Sequence, residues 1–353
     1  MSKKITLQHI AEQVGVSKFA VSMALSGKPG ISAETREKIR QAAASLGYYS
    51  QNHVRMKPRT QLADTHQEQQ PSSTVPTVIV LIPNVRFQTK DSLYWGRVMN
   101  GVTDALEAEG VHPVVITEFN DELFTHIIQV DKVMGLIGIG MISNALLMQV
   151  KGAGIPYVLV DHEDELLPSD SVFTNNLDDF RKAAQHLLGS GHRDIKYIGS
   201  LTHSRSFMDR WLGFRMAMEA AGEKEVLERC TIQLEGVTGL PNQVRQQLRR
   251  LHEADSLPTA FLCVNDVIAL YTWEALEELG IQVPQQCSVF GFDHVEQTGG
   301  RSLSTINVSK EELGATAVEL LLHRLKNPEK PIQKVLLSGH MLLGSSTAPL
   351  QLT

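Results

Sequence analysis

The 353-residue sequence predicts a small α-helical headpiece followed by a two-lobed α/β body built on doubly wound parallel sheets. Three observations predict it. Two short amphipathic segments flank a glycine near the start, apolar runs alternate with helical patterns from residue 75 onward, and the charge is unevenly spread. Residues 1–60 hold ten Lys/Arg against three Asp/Glu, while the remainder holds 23 basic against 36 acidic residues. A basic head on an acidic body suits phosphate contact at one end only.

In the headpiece, Leu7, Ile10, Ala11 and Val14 recur at helical spacing and place one apolar stripe on a first helix. Gly15 is free to adopt the left-handed conformation that ends it. Ser17 then reads as the N-cap of a second helix. Its Ala20, Val21, Ala24 and Leu25 pack back on the first, while Lys18, Phe19, Ser22 and Met23 point outward as candidates for a major groove. Ser32-Ala-Glu-Thr-Arg36 signals the cap of a third helix running through Ile39, Ala43 and Leu46 to Gly47. An ordinary αα-hairpin is the plain alternative for the turn alone, and the local positive charge favours DNA.

The residues Gly15-Val-Ser17, Val21-Ser22, Leu25-Ser-Gly27, Thr35-Arg36 and Leu46-Gly47-Tyr48, in this order between Thr6 and Tyr48, resemble the headpiece of the lac/gal repressor family. The resemblance implies a recognition helix starting at Ser17, with Lys18 and Phe19 reading bases and with Thr6, Ser22, Met23 and Lys28 among the DNA contacts. Met23 stands where the family usually has arginine. A thioether cannot make the bidentate contact of a guanidinium to guanine, so the operator is expected to differ, with a thymine methyl near Met23 or Phe19. The family's hinge helix would place Val54, Arg55 and Met56 at the DNA. Lys57 takes the position of its minor-groove leucine, Met56 is the nearest apolar wedge, and Pro58 stops the helix. Residues 58–75, rich in Gln, Ser, Thr and Pro, read as a flexible linker between the headpiece at 1–57 and the body at 76–353.

The body's apolar runs at 77–83, 113–117, 135–140, 156–161, 195–199, 259–264 and 288–293 read as strands buried on both faces. Helices are predicted between them, among them 98–109, 179–189, 212–221 and 269–279, with a last strand at 335–343. Ligands of such sheets sit beyond the carboxyl ends of the strands, here in a cleft between two periplasmic-binding-protein-like lobes. The family resemblance continues here on Asn175-Asn176, Gly191-His192-Arg193, Arg210-Trp-Leu-Gly-Phe214, Asn265-Asp266, Gly280-Ile-Gln-Val-Pro284 and Gly291-Phe-Asp293. It implies effector contacts at Asp161, Arg210, Asn265 and Asp293, with first-lobe contacts from Asn84 to Phe87.

That set suits a sugar. Carboxylates and an asparagine bond vicinal hydroxyls, arginine grips two oxygens, and Phe87 or Trp95 covers an apolar ring face. The plain alternatives are that Asp161 and Asp293 cap turns, Asn265-Asp266 caps a helix, and Tyr94 and Trp95 belong to the core. Arg210, read at a helix start where the macrodipole disfavours a cation, needs a specific partner. The family usually has acidic residues where Asn175 and His294 stand and glycine where Tyr271 stands. Fewer carboxylates point to a ligand that is less cationic or carries negative charge.

No phosphate-binding loop, nucleophile elbow or His-Glu-x-x-His occurs, and Gly138-Ile-Gly140 lacks a third glycine, so no enzyme is expected. His162, His203 and His294 have no metal-ligand spacing, and neither metal nor cofactor is expected. The charged start is not a secretion signal, no apolar run spans a bilayer, and Cys230, Cys263 and Cys287 fit buried thiols in a reducing cytoplasm. The expectation is a homodimer on a pseudo-palindromic double-stranded operator, without membrane contact. It would be a regulator, a repressor of carbohydrate genes controlled by a sugar-like effector. The alternative from another class is a sugar sensor or scaffold that has lost operator binding.

Overall fold

The computed structural model describes residues 11, 14–25, 32, 35, 38–39, 76–82, 94–117, 133–236, 238–295 and 300–350. The chain forms two compact units, Met1–Pro71 and Ser72–Thr353.

In the first unit, Gly15 at φ 73° closes a helical segment through its N–H to Ala11 O, 3.0 Å. Helix α1 follows at Lys18–Leu25. Ser17 Oγ accepts the Ala20 N–H at 3.1 Å, the predicted cap. Ser32 Oγ likewise accepts the Thr35 N–H at 3.1 Å. Ala11, Val21 and Ile39 are buried, whereas Phe19 is 73% exposed.

The second unit begins with strand β1 (Thr77–Leu81), and its first sheet adds β2 (His112–Ile116), β3 (Val133–Ile139), β4 (Tyr157–Val160), β5 (Asp170–Thr174) and, from far along the chain, β11 (Lys334–Leu337). The order is β11-β5-β4-β3-β1-β2, and every pairing is parallel. Helices α2 (Tyr94–Ala108), α3 (Asn144–Gly152) and α9 (Lys310–Lys326) belong to this lobe. The second lobe has β6 (Ile195–Gly199), β7 (Thr231–Gln233), β8 (Ala260–Cys263) and β9 (Ser288–Phe290) in the parallel order β7-β6-β8-β9. Its helices are α4 (Asn176–Gly189), α5 (Arg205–Ala220), α6 (Val226–Cys230), α7 (Leu240–Glu253) and α8 (Asp266–Glu278). The strand order reverses between β1 and β3 in one lobe and between β6 and β8 in the other, the switch points where such sheets bind ligands.

The seven predicted strands of the body lie where expected, and six are largely buried; the run at 113–117 is corrected, because β2 is the edge strand of its sheet and leaves Val114 and Val115 40% and 46% exposed. β5 escaped that reading because Asp170, Ser171 and Thr174 interrupt its apolar pattern although all five of its residues are buried. The bidentate Arg324 guanidinium, at 2.8 and 2.9 Å, and the Gln333 N–H at 2.7 Å satisfy Asp170.

The single strand expected at 335–343 is two. β11 ends at Leu337, and β12 (His340–Leu342) pairs antiparallel with β10 (Thr305–Asn307). Gly339 makes the break, since a Cβ there would stand 2.5 Å from Ile306 Cγ2 and 2.9 Å from Asn307 O. The chain passes between the lobes here, after β5, and on the path from β9 to α9. Backbone bonds tie these passages together: Asn175 N–H to Leu337 O at 2.8 Å, and Asp293 N–H to Ile306 O at 3.0 Å. Gly339 N–H also donates to Asp179 Oδ2 at 2.6 Å.

Candidate functional site

Arg210 is 3% exposed and organises the space between the lobes. It was expected at a helix start, and that placement is corrected. Ser204 Oγ caps α5 by accepting the Phe207 N–H, so the helix starts at Arg205 and Arg210 lies in its second turn. Its Nε donates to Asn176 Oδ1 at 2.8 Å, one terminal nitrogen to Val264 O at 2.8 Å, and the other to Asp293 Oδ1 at 3.0 Å. The guanidinium carbon stands 3.9 Å from the centroid of the Phe292 ring. One side chain thus joins α4, the end of β8 and the segment after β9.

Asp161 approaches from the first lobe. It follows β4 with φ 55°, its N–H bonded to Val172 O at 2.9 Å, and its carboxylate accepts the Ser206 hydroxyl of α5. The adjacent Arg205 contacts Glu163, which also accepts Lys334 Nζ at 2.5 Å. Consecutive residues at the start of α5 therefore hold the loop after β4 across the cleft. Asp293 also has a left-handed backbone, φ 99°, which presents its carboxylate to Arg210 while its carbonyl accepts Lys310 Nζ. Lys310 reaches His294 O and Val308 O as well, at 3.3 and 3.4 Å.

Burial governs the charges. It raises the Asp161 carboxyl from 3.8 to about 6, against the Ser206 hydrogen bond and the pull of Arg210. It raises Asp266 to about 7, although Thr305 Oγ1 at 2.7 Å and the Val295 N–H at 2.8 Å stabilise the ionised form. Asp293 is raised too, Lys310 is lowered, and the Tyr94 phenol is pushed well up by burial and then by Asp161 and Asp293. A raised acid pKa means that the native state holds a proton the unfolded chain releases. Asp161 ionisation thus costs stability increasingly as pH rises from about 4 to 6. Asp161→Asn is expected to stabilise the ligand-free protein by on the order of 2 kcal/mol at pH 7.5 and by almost nothing near pH 4. Urea unfolding at both values checks this, and a pH-independent difference would contradict it.

Of the other expected contacts, Asn265 caps α8, its Oδ1 accepting the Ile268 N–H at 3.0 Å, which leaves Nδ2 outside the cap. Trp95 is half-buried against the core, its ring edge-on to Tyr94 at 4.9 Å. Ser17, Lys18 and Phe19 are exposed on the first unit, and Met23 is half-buried. Ser22 lies in α1. Thr6, Lys28, Val54, Arg55, Met56, Asn84 and Phe87 lie outside the described residues, as do the 58–75 linker and the Pro58 stop. Ser206, Asn176 and Lys310 were not anticipated. Lys310 carried a legible signal, a lysine at a helix N-terminus against the macrodipole. Among the described residues no cluster of His, Cys, Asp or Glu could hold a metal, and no helix is long and apolar enough to cross a membrane.

The fold and the cleft define a two-lobed ligand-binding body joined to a DNA-binding headpiece. Residues 6–51 match the bacterial regulatory proteins of the lacI family, and residues 184–347 match the periplasmic binding protein-like domain. The HTH-type transcriptional repressor PurR of Glaesserella parasuis serovar 5 (strain SH0165) is 28% identical over 341 residues, 94% of this chain and 93% of that protein. The ribose operon repressor of Haemophilus influenzae (strain ATCC 51907 / DSM 11121 / KW20 / Rd) is 26% identical over 356 residues, 97% and 98% of the two chains. The lac repressor dimer bound to operator and the anti-inducer ONPF shares the fold, with a TM-score of 0.65 at 22% identity over 98% of this chain and all of that one. The chain belongs to the lacI family of bacterial regulatory proteins: it is a transcriptional regulator with a periplasmic-binding-protein-like effector domain, and not an enzyme.

Proposed function

We propose that the protein is a repressor of carbohydrate genes that binds a pseudo-palindromic operator as a homodimer and answers to a sugar held between its lobes. The observation that carries the sugar reading is the convergence from both lobes of Asp161 and Asp293, each just past the carboxyl end of its strand, with Arg210 of α5. Carboxylates in that place accept hydrogen bonds from vicinal hydroxyls. The name of the ribose operon repressor agrees with this reading. Residues 1–57 would bind DNA, 58–75 would tether, and 76–353 would sense ligand. A ligand that bridges the lobes changes their relative angle and so biases the spacing of two headpieces.

Support for DNA reading comes from the Ser17-capped helix, which leaves Lys18 and Phe19 in solvent. Operator selection from a random palindrome library, followed by fluorescence anisotropy across a salt series, tests the proposal. A preferred palindrome with affinity falling steeply in salt is expected. Lys18→Ala should lower the slope of log affinity against log salt by about one if Lys18 meets a phosphate, and should relax one base position if it reads a base. No enriched sequence, or binding indifferent to salt, would overturn it.

A further inference from the structure

The chain passes between the lobes after β5, between β10 and α9, and between β11 and β12. The first and third of these passages run side by side, and their bonds leave little of either free to bend. On the first-lobe side β5 and β11 end as a pair, Thr174 beside Leu337, and the Asn175 N–H donates to Leu337 O at 2.8 Å. On the other side Asn176 opens α4, its Oδ1 accepting Arg210 Nε. Gly339 leads into β12, whose partner β10 lies beside the second-lobe sheet through the Phe290–Ser304 and Asp293–Asn307 pairings. One side chain ties Gly339 back to α4. Asp179, 1% exposed in the first turn of that helix, accepts the Gly339 N–H on Oδ2 at 2.6 Å and Lys182 Nζ on Oδ1 at 2.9 Å. A carboxylate is favoured at a helix start, and its bond to a backbone N–H is charge-assisted. Between the fixed ends stands one residue of each passage, Asn175 and Ser338, joined by Asn175 Nδ2 to Ser338 Oγ at 3.3 Å.

We infer that Asp179 is a positioning residue for the lobe angle: it clamps the third passage to α4 and so confines the bending of these two passages to Asn175 and Ser338. The inference rests on the regulatory reading, in which the lobe angle reaches the headpieces, and names the side chain that fixes where the angle pivots. The first turn of α4 carries both arms of the arrangement. Asn176 holds the buried arginine of the cleft, and Asp179 holds the chain as it comes back from the first lobe. Without the clamp the Gly339 N–H is left unbonded against β10, where a Cβ would stand 2.5 Å from Ile306 Cγ2, and bending spreads from Ser338 into β12. The lobes then sample more angles, and a smaller fraction of molecules holds two headpieces at the spacing one operator needs.

Three substitutions in the full chain test this. Asp179→Ala removes the acceptor, Asp179→Glu keeps the charge but displaces the acceptor, and Asp179→Asn keeps an oxygen for the Gly339 N–H while giving up the charge that Lys182 meets. Hydrogen–deuterium exchange of the 335–343 segment reports the clamp. Fluorescence anisotropy on the selected palindrome and on a scrambled duplex reports its effect on headpiece spacing. Faster exchange at Gly339 is expected in Asp179→Ala and Asp179→Glu, with palindrome affinity weakened at least about fivefold and scrambled-duplex affinity unchanged. Asp179→Asn should stay within about twofold of the parent on the palindrome, as should Lys182→Ala, which removes only the ion pair. A role confined to stability would lower the melting temperature without separating the two duplexes. Unchanged exchange at Gly339, equal loss on both duplexes, or palindrome affinity within about twofold of the parent would overturn the inference and leave the regulatory reading standing. If Asp179→Ala does not fold, Asp179→Glu decides by the same criteria. A parent chain that enriches no palindrome would remove the regulatory reading and this inference with it.

Discussion

Arg210→Met is expected to destabilise the Ser72–Thr353 unit by about 3–5 kcal/mol, because removing one partner of a buried ion pair strands the other. The change leaves Asp293 without its cation, Asn176 Oδ1 without its donor and the Val264 carbonyl unbonded. Burial already holds the Asp293 carboxyl above its ordinary 3.8, and Arg210 is the first influence that lowers it. In the variant the native-state value rises further, so the penalty is larger at higher pH and shrinks as pH falls toward the ordinary 3.8. Denaturant unfolding of parent and variant at pH 7.5 and pH 5 separates this from a simple packing loss, which would not depend on pH. Arg210→Lys should rescue little, since one ammonium cannot replace a fork that reaches three acceptors in different directions.

The second large effect is expected in the packing of the first lobe. Helices α2 and α9 cross at Gly101 and Gly314, where a Cβ on Gly101 would stand 1.9 Å from Glu311 O and one on Gly314 2.2 Å from Val98 O. The obstacle is backbone in both directions, so no rotamer change relieves it. Gly101→Val is expected to cost about 3 kcal/mol or more, at the upper end of overpacking, because the helices must move apart. Gly96, on the same helix, is the control. A Cβ there meets nothing within 4 Å, and Gly96→Ala should stabilise by about 0.5–1 kcal/mol through helix propensity alone. Thermal or urea unfolding of both variants gives the comparison, and equal midpoints would contradict the close crossing.

Much of the fold was legible because its signals are local. The Gly15 turn, the Ser17 and Ser32 caps and the apolar strands each follow from a few neighbouring residues. What escaped depends on distant partners. β5 contains a buried aspartate that is tolerable only because Arg324 arrives from α9, and Gly339 splits the last strand because β10 lies against it. At the site, the resemblance pointed to Asp161, Arg210 and Asp293, which the fold gathers, but not to Ser206, Asn176 or Lys310, which determine how those charges are paired. Arg210 has the acidic partner expected of it in Asp293, and only its position in the helix was misread, because Ser204 starts the helix earlier than the apolar pattern suggests.

The central claim is that ligand in the cleft and DNA at the headpiece are coupled. Its most direct test is the affinity of the full chain for its selected palindrome, measured by anisotropy with and without a saturating amount of a sugar that stabilises the chain, at fixed salt. Coupling energies of about 1–3 kcal/mol correspond to a change of roughly 5–150-fold, and by linkage the DNA must change sugar affinity by the same factor. A shift of that size, lost in Asp161→Asn under the same sugar concentration, is the predicted result. Equal DNA affinity with the cleft empty and filled would contradict it.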